Sequence, residues 1–282
     1  MKKTILVPTD FSVNARSAVN YAIDMAEQYS FGIHLVHIYA PMTTRFGDDA
    51  FNNRMVRQAR EEAEESMQQL VSELTASHRE LEVFTECLEG DHLADTLTRI
   101  SGKASHQLIV MGTRGAGGLK YVLGSNTYQT ILNAPLPVMA IPENYSEFRL
   151  SHAGLLSNFK KSDIALLETF ASIFGREVKI TLLHVRETDS PQEEAELIDW
   201  KNHLEAITGI SGIRWKIDTV VHRLDLDDNI PECIHDMAEE AQLDALLITS
   251  TPRSFFRRVF SRSLVKNIAH EIHRPVFFLP EG

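Results

Sequence analysis

At 282 residues the chain has the length of two ordinary globular domains, and its 43% hydrophobic and 24% charged content is that of a chain able to bury a core. With 28 basic against 39 acidic residues the net charge is -11, which argues against nucleic acid or an anionic membrane as a general partner. No run of 18 apolar residues exists to span a membrane, the stretch before Pro8 is too short for a signal peptide, and Cys87 and Cys233 have neither a Cys-x-x-Cys nor a zinc spacing, so a cytoplasmic protein with reduced thiols is expected.

In chain order, residues 3–8 predict a first strand and Ser12 to Tyr29 an amphipathic helix. Ser12 and Asp10 are both suitable caps for that helix, and a carboxylate just past a parallel strand also faces a ligand crevice. A second strand is expected near 33–39, then a long helix over 53–77, with Met55, Ala59, Ala63, Met67, Leu70 and Leu74 at helical spacing and its acidic run on the solvated face. A third strand falls near 81–87, with Asp91-His92 as turn and cap for a helix from Leu93 to Ile100. Strands near 107–112 and 137–141 flank a further helix, and turn residues gather at Pro142 to Phe148, where the first unit ends.

The second half repeats the first. Ala134-Pro-Leu-Pro-Val138 is matched by His273-Arg-Pro-Val276, Leu108-Ile-Val-Met-Gly112 by Leu246-Leu-Ile-Thr-Ser250, and Pro8-Thr-Asp-Phe-Ser12 by Leu156-Ser-Asn-Phe-Lys160. Each copy alternates strand and helix, the pattern of a parallel sheet covered on both faces. The fold class is therefore α/β, with two tandem Rossmann-like domains of five mainly parallel strands each, at 1–145 and 146–282.

The chemistry concentrates between the fourth strand and the helix after it. Gly112, Gly115 and Gly124-Ser125 let peptide N–H groups approach an anion, and Ser125 is placed to cap a helix whose N-terminus stabilises phosphate. The run lacks the Gly-Lys-Ser/Thr ending of a P-loop and the spacing of a dinucleotide fingerprint. A plain connecting turn accounts for glycines equally well in isolation. Arg114 and Lys120 add positive charge, though exposed loop cations commonly face solvent.

These marks together resemble the universal stress protein family: Pro8-Thr-Asp10-Phe-Ser12, Leu35-Val-His37-Ile38, Glu89-Gly-Asp91, Met111-Gly-Thr-Arg-Gly115 to Gly124-Ser125, and Pro135-Leu-Pro-Val138. The resemblance covers nearly the whole chain and implies a five-stranded fold related to adenine nucleotide alpha-hydrolases. It implies ATP or a related adenine nucleotide, with magnesium, as ligand of the first domain. Asp10 and Ile38 would hold adenine, Pro8, Thr9, Met111 and Gly112 would line the nucleoside, and Gly115, Gly124, Ser125 and Asn126 would surround the phosphates. The family loop is Gly-x2-Gly-x9-Gly-Ser/Thr; here eight residues separate Gly115 from Gly124, one fewer.

The second copy replaces these positions. Ser250 stands for Gly112, Arg253 for Gly115, Arg262 for Gly124 and Asn158 for Asp10, while Ser263 keeps the serine. No cofactor is expected there, and the basic, aromatic run Arg253 to Arg262 reads as a solvated face. His37 and His184 occupy equivalent strand positions, which suggests a shared structural role. His270-Glu-Ile-His273 is not a zinc signature, so no metal site is expected.

Three functions compete: a nucleotide-responsive regulatory protein of the stress response, a nucleotide-independent scaffold with vestigial sites, and a slow ATPase. No catalytic set is evident, since Asp10 is the obvious carboxylate of the crevice and the resemblance commits it to adenine. Expected partners are the adenine nucleotide, the other domain of the same chain through the Pro-Val strands, a second copy in a homodimer, and an unidentified protein.

Overall fold

Short apolar runs form strands and the amphipathic stretches between them form helices, the alternation that parallel pairing requires. The computed structural model describes residues 2–42, 48–102, 105–113, 124–143, 145, 147–157, 159–186, 191–219, 229–250 and 274–280. The first half runs β1 (Thr4–Pro8), α1 (Val13–Tyr29), β2 (Gly32–Tyr39), α2 (Asp49–Ser77), β3 (Val83–Glu89), α3 (Leu93–Ser101), β4 (His106–Gly112), α4 (Ser125–Asn133) and β5 (Val138–Ile141). The second runs β6 (His152–Leu156), α5 (Lys161–Phe174), β7 (Lys179–Arg186), α6 (Pro191–Thr208), β8 (Arg214–Thr219), α7 (Asn229–Glu240), β9 (Ala245–Ser250) and β10 (Val276–Pro280).

Caps set the helix starts. Ser12 caps α1 by accepting a hydrogen bond from the Ala15 N–H at 3.2 Å. Its replacement by alanine is expected to cost about 1 kcal/mol in denaturant unfolding. Helix α2 starts four residues before the expected 53, because the Asp48 carboxylate accepts from the Phe51 N–H at 2.7 Å. Ala63, Met67, Leu70 and Leu74 are buried on its inner face and Glu61, Glu62 and Glu65 are exposed, whereas Met55 and Ala59 are only half-buried. Two caps differ from expectation. Neither α3 nor α4 has a side-chain cap: His92 precedes the first without capping it, and Gly124, not Ser125, precedes the second, with Ser125 already its first helical residue.

The ten strands among the described residues form one sheet in the order β3-β2-β1-β4-β5-β10-β9-β6-β7-β8. Within each five-strand half every pairing is parallel. The halves meet where the two Pro-Val strands, β5 and β10, pair antiparallel in the register Val138↔Phe278, Met139↔Phe277 and Ala140↔Val276. Apolar side chains of α1, α2, α5 and α6 cover one face and those of α3, α4 and α7 the other, and both layers continue across the seam. Phe277, fully buried at the seam, meets the rings of Phe170 and Phe174 at 5.4 and 6.1 Å.

The stretch between β5 and β6 is anchored as well. Phe148 is buried, packs edge-on against Tyr21 at 5.1 Å, and its N–H donates to the Asp24 carboxylate at 3.1 Å. The Tyr21 hydroxyl has no hydrogen-bond partner among the described residues although the side chain is fully buried. Removing an unsatisfied hydroxyl removes a desolvation cost, so Tyr21→Phe is expected to leave thermal stability unchanged or raise it by about 1 kcal/mol.

Candidate functional site

In each half the sheet order reverses beside the first strand. Chain passing from β1 to β3 covers one face with α1 and α2, whereas α3 and α4 cover the other, so a crevice opens at the carboxyl ends of β1 and β4. A cleft of about 200 Å³ lies there. Strand β1 and the turn at its exit contribute Pro8, Thr9 and Asp10 to its lining, β2 contributes Ile38, β4 contributes Met111 and Gly112, and α4 contributes Asn126. These seven expected residues are brought together by four separate elements. Gly124 and Ser125 sit at the adjoining start of α4 without lining the cleft, and Gly115, Arg114 and Lys120 lie outside the described residues.

Six further lining residues were not anticipated: Ala15, Ala40, Gly90, Asp91, Leu93 and Thr127. Asp91 therefore faces the crevice in place of capping α3. Small residues such as Ala15 and Ala40 carry no chemical signature. The Gly90-Asp91 pair was visible as a motif, but its proximity to Asp10 depends on sheet order.

The β1 exit turn is held rigidly. The Ser12 N–H donates to Asp10 Oδ1 at 3.1 Å and the Phe11 N–H to Thr9 Oγ1 at 3.1 Å, with Phe11 in the left-handed region at φ 61°. His37 Nδ1 donates to the Thr9 carbonyl at 2.8 Å while its ring packs against that of Phe11, tilted by 37° at 4.5 Å. The second half repeats this device: His184 Nδ1 donates to the Ser157 carbonyl at 3.0 Å and its ring packs, tilted, against Phe159, which is at φ 58°. Both histidines thus brace a turn.

Gly112 has a packing reason beyond ligand approach. A Cβ there would lie 1.9 Å from Asn14 Oδ1 and 3.0 Å from the Asn14 carbonyl oxygen, so only glycine lets α1 close onto β4. The Thr127 hydroxyl donates to the Gly112 carbonyl at 2.9 Å, and the Gly124 N–H donates to the Thr113 carbonyl at 2.8 Å, which ties the start of α4 to the end of β4. With no side chain capping α4 among the described residues, its first-turn N–H groups suit an anion such as a nucleotide phosphate. Ile38, Leu93 and Met111 supply apolar surface for a flat base, and Asp10 and Asp91 supply acceptors.

The second half fills the corresponding corner. Asp163 occupies the place of Ala15, is buried, and accepts from the Ser157 hydroxyl at 2.5 Å and the Lys160 N–H at 3.4 Å. Burial pushes its carboxyl up to about 6, against the opposing pull of those hydrogen bonds; the Trp200 indole beside it completes no hydrogen bond but also favours the ionised form. The substitutions at Asn158, Arg253, Arg262 and Ser263, and His270 and His273, lie outside the described residues.

The universal stress protein family model matches residues 1–142, half of the chain. The chain belongs to the universal stress protein family. A universal stress protein of Methanocaldococcus jannaschii is 26% identical over 150 residues, which span 51% of this chain and 85% of that one. Universal stress protein G of Escherichia coli is 27% identical over 147 residues, 50% of this chain and 99% of that one, and a relative from Mycolicibacterium smegmatis is 28% identical over 188, covering 64% and 63%. The likeness of fold extends to both halves: a universal stress protein structure from Archaeoglobus fulgidus superposes with a TM-score of 0.71 at 17% identity, covering 99% of this chain and 98% of that one. No helix among the described residues is long and apolar enough to cross a membrane, and no group of three or more histidines, cysteines or carboxylates there could hold a metal ion.

Proposed function

We propose that this universal stress protein is a nucleotide-responsive regulatory protein whose first domain, residues 1–145, binds ATP or a related adenine nucleotide with its magnesium ion. The second domain, residues 146–282, is its degenerate partner and takes no nucleotide. One observation carries the reading: the crevice at the β1/β4 reversal gathers Asp10, Ile38, Gly112 and the uncapped start of α4 around a single cleft.

In this reading Asp10 accepts from the exocyclic amino group of adenine, Ile38 and Met111 sandwich the base, and the first-turn N–H groups of α4 take the phosphates. A protein partner then distinguishes the occupied from the empty state. Purified protein, acid-denatured, is expected to release an adenine nucleotide detectable by mass spectrometry, and calorimetric titration with ATP and magnesium is expected to give one site per chain. Asp10→Ala is expected to weaken that binding by about tenfold or more with folding intact, since hydrogen bonds to charged groups contribute about 1.5–3 kcal/mol. An empty protein that also gives no heat of binding overturns the proposal in favour of a nucleotide-independent scaffold, and steady phosphate release would recast it as a slow ATPase.

A further inference from the structure

A second cavity, of about 220 Å³, lies between α1 and α2 on the far side of the Thr9 to Phe11 turn from the cleft. Thr9 lines both. Val19 and Leu70, each buried, and Phe11 give the cavity an apolar interior, while Ser66, Gln69 and Arg16 give it polar walls. The Arg16 guanidinium donates from Nη2 to Glu73 Oε2 at 2.6 Å, and Gln69 donates to Glu73 Oε1 at 3.2 Å; these bonds hold the Glu73 carboxyl below the usual carboxylate range. A guanidinium has five N–H donors, so a single contact leaves its fork able to take a further carboxylate.

The second half fills the corresponding space differently. The inward spacing Met67, Leu70, Leu74 of α2 recurs as Leu197, the half-buried Trp200 and Leu204 of α6, and the β1–α1 turn aligns through Phe11 and Phe159. By that correspondence Leu70 is replaced by the larger Trp200 and Arg16 by Ile164, which packs against the apolar core. A filler enters and the cation is lost together. In the first half the filler is absent and the cation is present.

We propose that the α1/α2 cavity is a second small-molecule site, distinct from the nucleotide cleft, which takes an apolar monocarboxylate: a ring or branched chain against Val19 and Leu70, with its carboxylate on Arg16. A cavity of about 150 Å³ already holds benzene, so this one has room for a ring bearing a short acid arm. Because Thr9 is shared with the cleft and Phe11 follows Asp10 in the same turn, a ligand here bears directly on the turn that carries Asp10.

The test uses phenylacetate with the full-length protein and no nucleotide, so that its outcome is independent of the nucleotide reading. Ligand-observed NMR and calorimetry are expected to show saturable binding, weakened about tenfold in Arg16→Gln and lost in Leu70→Trp, which imports the filler of the second half. Benzyl alcohol, which lacks the carboxylate, is expected to bind more weakly than phenylacetate. No saturation by millimolar phenylacetate, or saturation that Arg16→Gln leaves unchanged, overturns the proposal. Arg16→Gln changes a half-exposed side chain outside the apolar core and keeps the test decisive if Leu70→Trp fails to fold.

Discussion

Gly112→Ala is expected to destabilise the protein by about 2–3 kcal/mol and to weaken the proposed nucleotide binding by about a hundredfold. The new Cβ would sit 1.9 Å from Asn14 Oδ1, so either Asn14 or the whole first turn of α1 must move. Side-chain rotation alone is insufficient, because the Asn14 carbonyl oxygen is also at 3.0 Å. Moving α1 displaces Ala15 and the turn that presents Asp10, both of which line the cleft. The effect is therefore expected in stability and binding together. The double variant Gly112→Ala/Asn14→Ala removes the closest contact and is expected to recover part of the lost stability, a non-additivity that identifies the clash as the cause. Urea unfolding and calorimetry of the three variants decide the matter, and a Gly112→Ala protein as stable as the parent would refute the packing argument.

Asp163→Asn is expected to stabilise the protein near neutral pH. The native carboxyl, raised to about 6 from 3.8, binds its proton more tightly than the unfolded chain does. Its contribution is consequently most favourable below pH 4 and is lost as pH rises from about 4 to about 6, a difference of about 3 kcal/mol at 1.36 kcal/mol per pKa unit. Asparagine keeps an oxygen to accept from Ser157 and Lys160 but carries no charge to desolvate. The variant and the parent are expected to match near pH 4 and to diverge by about 3 kcal/mol in favour of the variant above pH 6.5. Thermal unfolding across that range measures the divergence, and parallel curves would show that Asp163 is not the titrating group.

The strands and the tandem α/β fold were legible in the sequence because buried parallel strands are short apolar runs bounded by turn residues, and because the two copies mark one another. The seam was legible too, since the proline before each of β5 and β10 announces a strand start. Helix starts were harder to read. Ser125 had the right residue type for a cap, yet its neighbour Gly124 takes the cap conformation, and Asp48 extended α2 beyond its apolar periodicity. Of the cleft, Asp10 and Gly112 stood out in the chain itself, and Pro8, Thr9, Ile38, Met111 and Asn126 followed from the family resemblance. Ala15, Ala40, Leu93 and Thr127 could not be named in advance, since only the three-dimensional order β3-β2-β1-β4 carries the ends of β3 and α4 to the same place. The α1/α2 cavity left no trace at all in the sequence, because a void is a difference between side-chain volumes across two helices.

The position of β10 in the sheet has a consequence for biogenesis. This strand, last in chain order, is inserted between β5 and β9, so every earlier strand is available before it. During translation the nascent first half displays β5 as an open, wholly apolar edge, Val138-Met-Ala-Ile141, and the growing second half displays β9 likewise. Each is a template for mispairing with another ribosome's product until β10 emerges and closes both at once. Premature termination between Ser250 and Val276 would release a chain with two sticky edges, which makes such fragments natural clients for chaperones and proteases.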